Sequence, residues 1–431
     1  MKKKNIYFPI EILYRELNSK LFLTSLLIFK NFRIYLGTKH GIDLLLDYKN
    51  KKKVREGIYF NKSVFISNKK YLDKVHKSCE HFVVLDEELG PALASPEFAI
   101  NNRCLYDKRI KFFFVIGEKI KKKILHFDKR FSTCLKVVGW PKFDFLKRYE
   151  INSLRKSSNI IKRKYGEFYL FSSNFGVLSQ EGLNQKLNFL KKIKQSKNYL
   201  IKKKEFIQNL RDFRNLKKEL INANLKYKLI IRPHPSELFH HDWLEIEKKN
   251  KNIKIIYEGN SLPWILASKG LIHRGCTTSL DAYYTKKPIF FWHTNRNLKQ
   301  TEKNLTYKLS NKINKFEKID KKKIFKSKKN LNKIISKEIK NYNKFNSSKK
   351  ILNYLDKLNV RKIEEFKIKN EKKPIFTIFK NFIKLIFFSK PQKIPEKFNE
   401  NHIKNIISEL SGKKKFSVKK IHDHVVKIES I

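Results

Sequence analysis

The sequence has few cysteines and no closely spaced pair among them. Four occur in 431 residues, at Cys79, Cys104, Cys134 and Cys276, and none has C-x-x-C spacing. Zinc sites need such spacing, so the sequence predicts no zinc centre. Isolated thiols are typical of a protein that stays in a reducing cytosol.

Long apolar runs are also missing. The basic start of the chain leads into an apolar stretch that Glu11 interrupts, which does not match a secretory signal peptide. The longest apolar run near the N-terminus, residues 21–29, is well short of the ~20 residues that a membrane-spanning helix needs. Both absences predict a cytoplasmic protein.

Acidic residues are scarce. There are 40 Asp and Glu residues against 98 Lys and Arg residues, which gives a formal net charge of +58. A basic chain normally suggests a nucleic-acid partner, but these lysines are spread along the whole sequence beside many Ile, Asn and Phe residues, as A/T-rich codons produce. We therefore expect attraction to an anionic membrane surface rather than to nucleic acid.

Strand-like apolar runs alternate with amphipathic stretches. Residues 5–10 predict a first strand and 11–30 a helix, and the alternation continues. This order predicts an α/β fold with doubly wound parallel sheets. The polar, basic stretch 147–166 marks a boundary, so we predict Rossmann-like domains at 1–150 and 160–345 and a basic helical extension at 346–431.

Three acidic residues follow one apolar strand. In HFVVLDEELG, residues 81–90, the strand ends at Asp86, Glu87 and Glu88, and Gly90 allows a sharp turn. Adjacent carboxylates repel one another, which can raise one pKa and prepare a general base. A solvated acidic loop is the alternative. We take Asp86 as the first candidate for the base and Glu87 as the second.

A second buried strand ends at a Pro-His-Pro corner. Residues 229–231 are apolar, and Arg232, Pro233, His234 and Pro235 follow them. The two prolines restrict the backbone on both sides of the histidine, so its imidazole stands on a stiff corner. Ligands bind at this end of the strands in an open α/β sheet. We therefore expect Arg232 and His234 to contact a phosphate.

A hydroxyl-rich helix start follows about forty residues later. Gly275 is the predicted turn, and Thr277, Thr278 and Ser279 place hydroxyls beside free N–H groups and the positive end of the helix dipole. Together these groups predict an anion site. Asp281, one turn into the helix, is placed to reach a ribose hydroxyl, although a first-turn acid also simply favours the dipole.

The two stretches together resemble a known family. RPHP at 232–235 followed by HRGCTTSLDA at 273–282 is similar to the nucleotide-binding half of bacterial surface carbohydrate biosynthesis proteins with the GT-B glycosyltransferase fold. It also resembles the His-Pro and paired-hydroxyl motifs of bacterial sialyltransferases and Kdo transferases, which use CMP-activated sugars. The acid cluster looks like their (Asp/Glu)-(Asp/Glu)-Gly motif, whose acid takes the proton of the acceptor hydroxyl. Leu89 stands before Gly90 here, so which acid matches remains open.

The resemblance implies roles for further positions. Ser173 and Asn174, in the first loop of the second domain, are expected to touch donor or acceptor, with a plain turn as the alternative. Glu258 is expected beside the nucleobase. GWPKFDFL at 139–146 resembles a Gly-Asn-Pro-Arg-Phe-Asp element that closes the N-terminal domain, with Trp140 and Lys142 in place of Asn and Arg. For this element we expect a packing role.

The implied function is inverting, metal-independent transfer from a nucleotide-activated sugar, CMP-linked by resemblance. The acceptor would be a cell-surface glycan or its lipid-linked precursor. No Asp-x-Asp follows a predicted strand, so protein groups must meet the charge of the phosphate, and no cofactor is expected beyond the nucleotide-sugar co-substrate. A CDP-polyol phosphotransferase-like enzyme and a non-catalytic basic binding protein remain alternatives.

Residues 374–389 differ from the Lys- and Asn-rich sequence around them. This stretch, PIFTIFKNFIKLIFFS, places aromatic and aliphatic residues on one side with Lys380 and Lys384 among them. It is too interrupted to span a bilayer, so it would either lie in a membrane interface or pack on the domains.

Overall fold

The computed structural model describes residues 2–64, 69–90, 96–148, 150–192, 196–234, 237, 241–257, 259–294, 304–319, 328–363, 399–412, 414–422 and 424–431. Two predictions lie outside the described residues, namely the nucleobase contact of Glu258 and the amphipathic stretch 374–389. Among the described residues, no helix has the length and apolarity needed to cross a membrane.

The first sheet contains nine strands in the order β14-β15-β2-β1-β3-β4-β5-β6, with β13 pairing on β1. The strands from β1 to β6 run parallel to one another. Their bounds are β1 Lys3–Ile10, β2 Phe32–Thr38, β3 Ile58–Asn61, β4 His81–Leu85, β5 Ile110–Val115, β6 Leu135–Val137, β13 Lys362–Ile363, β14 Phe416–His422 and β15 Val425–Ser430.

The second sheet contains six parallel strands in the order β12-β11-β10-β7-β8-β9. Parallel strands buried on both faces require almost continuous apolar sequence, and runs such as YLF and LII supply it. The bounds are β7 Phe168–Ser172, β8 Lys228–Arg232, β9 Ile253–Ile255, β10 Leu271–His273, β11 Ile289–Trp292 and β12 Asn311–Ile313.

Helices connect the strands and cover both sheets. Their bounds are α1 Leu13–Leu27, α2 Lys39–Lys51, α3 Lys69–Ser78, α4 Pro96–Arg103, α5 Glu118–Phe127, α6 Pro141–Leu146, α7 Asn152–Tyr165, α8 Gln180–Lys192, α9 Ser196–Asn222, α10 His241–Lys249, α11 Ser261–Ala267, α12 Thr278–Tyr284, α13 Leu305–Lys308, α14 Lys328–Glu338, α15 Ser347–Asp356 and α16 Glu400–Ser411. Two sheets, each with a core of six parallel strands connected by helices, confirm the predicted GT-B-like, Rossmann-like fold class. The predicted boundary stretch 147–166 is mostly helix α7.

The end of the chain returns to the first sheet. Within the predicted extension 346–431, residues 364–398 lie outside the described residues. The described part contains helices α15 and α16 and the hairpin of β14 and β15, which extends the sheet antiparallel to β2. Val426 and Ile428 are fully buried there, and Arg33 Nε donates to Glu429 Oε2 at 2.9 Å. The apolar side chains of β15 are buried because the strand pairs with the edge of β2.

The GWPKFDFL element holds this returning chain. Gly139 has φ +95°, and a Cβ built on it would lie 2.5 Å from the carbonyl oxygen of Lys340. Asp144 accepts hydrogen bonds from the backbone N–H groups of Ser347, at 3.3 Å, and Ser348, at 2.5 Å. The carboxylate therefore caps the start of α15, and the geometry agrees with a packing role.

Candidate active site

The carboxyl ends of the two sheets meet through short helices. Helix α6 follows β6 in the first sheet, and α12 follows β10 in the second. Lys142 Nζ lies 2.7 Å from Asp281 Oδ1, and the rings of Phe143 and Tyr284 have centroids 4.5 Å apart. In parallel sheets these carboxyl ends are where ligands bind, so the contact identifies a candidate site between them.

Asp86 is part of the structure of its own turn. Its Oδ2 accepts from Arg103 Nε at 2.9 Å, and Oδ1 accepts from Arg103 Nη2 at 3.1 Å and from the backbone N–H groups of Glu88 and Leu89 at 3.0 and 3.1 Å. The side chain is fully buried. Burial raises its pKa, while the Arg103 guanidinium acts in the opposite direction. Since both oxygens are committed, the geometry does not favour Asp86, the first candidate, as the general base.

Glu87 meets the requirements of a base better. Its Oε1 accepts a hydrogen bond from Trp140 Nε1 at 2.8 Å, and Oε2 accepts none from the described residues. Burial raises its pKa, opposed chiefly by the Lys20 ammonium, and the nearby Glu16 carboxylate raises it further. The second candidate therefore combines a fixed orientation, a free oxygen and an elevated pKa.

Glu88 belongs to a network of charges. It pairs with Lys62 at 2.7 Å, with Arg103 at 2.6 Å and with Arg15. Burial alone would raise its pKa, but these cations outweigh that effect and lower the pKa to about 2. A carboxylate this acidic is a poor acceptor of a proton, which distinguishes Glu88 from Glu87.

Glu237 organises the loops after β7 and β8, and the sequence analysis missed it. Its carboxylate accepts from Ser173 Oγ at 2.5 Å, from the Gly176 N–H at 3.0 Å and from the Phe175 N–H. Ser173 Oγ in turn accepts from the His234 backbone N–H at 2.9 Å. The acidic residue that follows the RPHPS stretch is the signal that could have indicated this role.

Ser173 is therefore a positioning residue, because it is 1% exposed and its hydroxyl both donates and accepts. Asn174 contributes its backbone carbonyl to Arg274 Nη1 at 3.0 Å. Arg232 Nη2 donates to the carbonyl of Gly259 at 2.6 Å, with its guanidinium over the Trp264 ring. The arginine thus joins the end of β8 to the loop before α11.

The turn before α12 is open on one side. Gly275 has φ +79°, and no heavy atom lies within 4 Å of a Cβ built on it. Its N–H donates to His273 Nδ1 at 3.1 Å, so Nε2 carries the proton and donates to Ser310 Oγ at 2.8 Å. Burial lowers the pKa of His273 to about 3. The neutral, buried imidazole therefore holds the glycine turn in place.

The hydroxyls of this turn have different surroundings. Ser279 is buried and donates to the Cys276 carbonyl at 2.9 Å. Thr278 Oγ1 is buried without a hydrogen-bond partner among the described residues. Thr277 is half-buried and makes no side-chain cap to the helix. Asp281 is 2% exposed and paired with Lys142, so the structure places it in an ion pair between α12 and α6 instead of at an open ribose site.

His234 is half-buried at the end of β8, on the same carboxyl edge of the sheet as Gly275. Cys79, Cys104 and Cys134 are buried free thiols, and Cys276 is a half-buried one. Among the described residues, no three His, Cys, Asp or Glu side chains stand in a metal-binding group.

Comparison with known proteins gives likenesses of fold. No family model matches the chain, and no curated protein matches it. UDP-N-acetylglucosamine 2-epimerase from Rickettsia bellii matches with TM-score 0.45 and 10% identity, over 90% of this chain and 100% of that one. Anabaena Alr3699/HepE, in complex with UDP and glucose, matches with TM-score 0.42 and 9% identity, over 83% and 100%. The wall teichoic acid polymerase TagF matches with TM-score 0.42 and 11% identity, over 82% and 88%.

The buried carboxyl of Glu237 predicts a pH-dependent contribution to stability. Burial raises its pKa to about 7, against the hydrogen bonds from Ser173 and the loop N–H groups. Because the folded state holds this proton more tightly than the unfolded state, stability falls as pH rises from about 4.5 to about 7, by up to ~3 kcal/mol. Glu237→Gln cannot titrate, so its free energy of unfolding relative to the unchanged protein should depend on pH in this window.

Urea unfolding of both proteins at about pH 5 and about pH 8 measures that difference. The stability of Glu237→Gln relative to the unchanged protein should be higher at about pH 8 than at about pH 5, by up to ~3 kcal/mol. A difference that is the same at both values would show that Glu237 does not titrate in this range.

Proposed function

We propose that the protein is a glycosyltransferase that uses a nucleotide-activated sugar and acts at the meeting of the two carboxyl edges. The observation that carries the proposal is Glu87 Oε2, which accepts no hydrogen bond from the described residues, while Oε1 accepts from Trp140 Nε1 at 2.8 Å and fixes the carboxyl group. Trp140 lies in the same short segment as Lys142, whose ammonium pairs with Asp281 across the lobes. A proton acceptor thus stands close to the helix that follows the open glycine turn.

In this mechanism the acceptor binds on the lobe 1–150 and the donor on the lobe 160–345. The acceptor hydroxyl oxygen attacks the anomeric carbon, and its proton passes to Glu87 Oε2. The bond from that carbon to the phosphate oxygen breaks, and the nucleotide leaves with the electron pair. Attack opposite the leaving group inverts the anomeric configuration.

The leaving phosphate would be met by His234 and Thr277, beside the open turn at Gly275. Donors directed at a developing negative charge can each accelerate the chemical step by about 10²- to 10³-fold. The open space at Gly275 allows close approach of a phosphate to the backbone. The proposal needs only protein groups at the phosphate and no metal ion.

The finer proposal is a CMP-linked sugar and a product that is a cell-surface polysaccharide, such as capsule, lipopolysaccharide or O-antigen. The support is the combination of the RPHP corner with the GCTTS turn. We propose that the enzyme works in the cytoplasm, at the inner face of the cytoplasmic membrane.

Calorimetric titration with CMP, CDP and UDP tests the donor class. We expect CMP to bind most tightly, whereas preference for CDP would favour a CDP-polyol phosphotransferase. Absence of binding by all three nucleotides would overturn the proposal. The titration therefore separates a transferase from a basic binding protein that has no nucleotide site.

Thr277→Val should weaken binding of the preferred nucleotide by about 10- to 100-fold, because a hydrogen bond to a charged phosphate is lost. Calorimetry measures the change in Kd. Thr133→Val is the matched control, since that exposed hydroxyl donates to the Arg130 carbonyl in the first lobe. An unchanged Kd for Thr277→Val would remove this hydroxyl from the site.

A further inference from the structure

Helices α8 and α9 form a hairpin with its own small core. Leu183, Leu187 and Leu190 are buried between the two helices against partly buried residues of α9, such as Tyr199 and Phe206. This core is separate from the clusters that hold the sheets. The hairpin is thus a self-supporting projection from the second lobe.

The hairpin projects beyond the carboxyl edge of the second sheet. Arg274, directly after β10, donates from Nη2 to Asp212 Oδ2 at 2.6 Å and to Asn209 Oδ1 at 2.9 Å. These contacts fix the level at which α9 passes the strand ends. The part of α9 that precedes these contacts, from Ser196 onward, is roughly 24 Å long at 1.5 Å per residue, and it leads away from the strand ends because α9 runs toward the start of β8. Its tip therefore lies on the same side of the sheet as the candidate site.

The surface near the tip combines exposed apolar and basic side chains. Phe189, Leu200 and Ile201 are 54%, 60% and 52% exposed. Lys192, Lys203 and Lys204 are exposed beside them, and none pairs with a carboxylate of the described residues. Residues three or four apart lie on one helix face, so Leu200 shares a face with Lys203 and Lys204, and Ile201 lies beside Lys204.

We propose that the surface formed by Phe189 and Lys192 of α8 and by Leu200, Ile201, Lys203 and Lys204 of α9 docks on an anionic phospholipid surface. Exposed Phe, Leu and Ile side chains insert at the level of the acyl boundary, and lysines on the same face bind lipid phosphates. A groove of about 430 Å³ between the helices, with Leu187 and Ile207 in its wall and Lys191 and Lys203 at its rim, adds apolar area beside basic groups. An enzyme held in this way would present its cleft to an acceptor carried by a membrane lipid.

Vesicle co-sedimentation of the full chain tests the docking without substrate, so its result is independent of the proposed transferase activity. We expect binding to vesicles of phosphatidylglycerol and phosphatidylcholine in equal parts, and little binding to phosphatidylcholine alone. The double variant Lys203→Glu and Lys204→Glu should weaken binding by at least about 30-fold. Lys162→Glu with Lys164→Glu is the matched control, because both lysines are exposed on α7.

A second pair of variants tests how much the exposed apolar side chains contribute to vesicle binding. Phe189→Ser with Leu200→Ser and Ile201→Ser should weaken vesicle binding by at least about tenfold. The control triple Phe127→Ser, Ile160→Ser and Leu244→Ser removes side chains that are 45%, 64% and 48% exposed elsewhere, and it should bind as the unchanged protein does.

Three results would overturn the proposal. The first is equal binding of the unchanged protein to neutral and anionic vesicles. The second is an equal loss of vesicle binding in the hairpin variants and in their controls. The third is a change of oligomeric state in the hairpin variants by sedimentation velocity with vesicle binding unchanged, which would identify a second copy of the chain as the occupant. Loss of vesicle binding in a variant that keeps its circular dichroism spectrum supports the docking.

Discussion

Replacing Glu87 by glutamine is expected to lower kcat by about 10²- to 10⁴-fold, the usual contribution of a positioned general base. Glutamine keeps the shape of the side chain and can still accept from Trp140 Nε1, so the free energy of unfolding should change by less than about 1 kcal/mol. The measurement is a turnover assay with the nucleotide-sugar whose nucleotide binds in the titration.

Two comparisons make this result specific to the base. Glu88→Gln alters a carboxylate whose pKa is already about 2, so it should lower kcat less than Glu87→Gln does. Trp140→Phe removes the N–H that stabilises the Glu87 carboxylate and should move the acidic limb of the pH–rate profile upward. Full activity in Glu87→Gln would exclude Glu87 as the base.

Replacing Asp86 by asparagine is expected to destabilise the fold by about 3 kcal/mol, because it leaves the half-buried Arg103 guanidinium without its bidentate carboxylate partner. The remaining pair with Glu88, at 2.6 Å, limits the loss. Urea unfolding measures the change in free energy. Asp128→Asn is the control, since Asp128 pairs with Arg130, whose side chain is 71% exposed, and a pair this accessible contributes little to the free energy of unfolding.

A double-mutant cycle separates the pair from its surroundings. If Asp86 and Arg103 act together, the double variant Asp86→Leu with Arg103→Met should lower the free energy of unfolding by less than the sum of the two single variants. An Asp86→Asn protein with unchanged stability and greatly reduced kcat would reverse our assignment and return Asp86 to the role of base.

The sequence predicts a cluster of acids at the end of β4, but it does not distinguish their roles. Three carboxylates at the end of a buried strand indicated a reactive group, and one of them has the surroundings of a base. Asp86 and Glu87 are adjacent residues of the same charge type, so their order along the chain could not distinguish them. The distinction comes from Arg103, on a helix after the strand, and from Trp140, more than fifty residues away.

Asp281 and Glu237 also have partners that their local sequence does not predict. Asp281 was expected at a ribose because it follows the helix start by one turn, but its partner is Lys142 of the other lobe. The role of Glu237 was not predicted, because its neighbours in the sequence do not indicate that its carboxylate is buried against the loop of Ser173 and Gly176.

The sequence by itself determined the two sets of parallel strands and the positions of their turns, because runs such as YLF and LII are stable only when buried on both faces and because Pro233 and Gly275 restrict or free the backbone locally. Only the tertiary structure decided which carboxylate keeps a free oxygen, which aspartate joins the lobes, and that the last strands pair with β2. Those outcomes depend on charges and sheet edges that lie far apart in the chain and act only at contact distance.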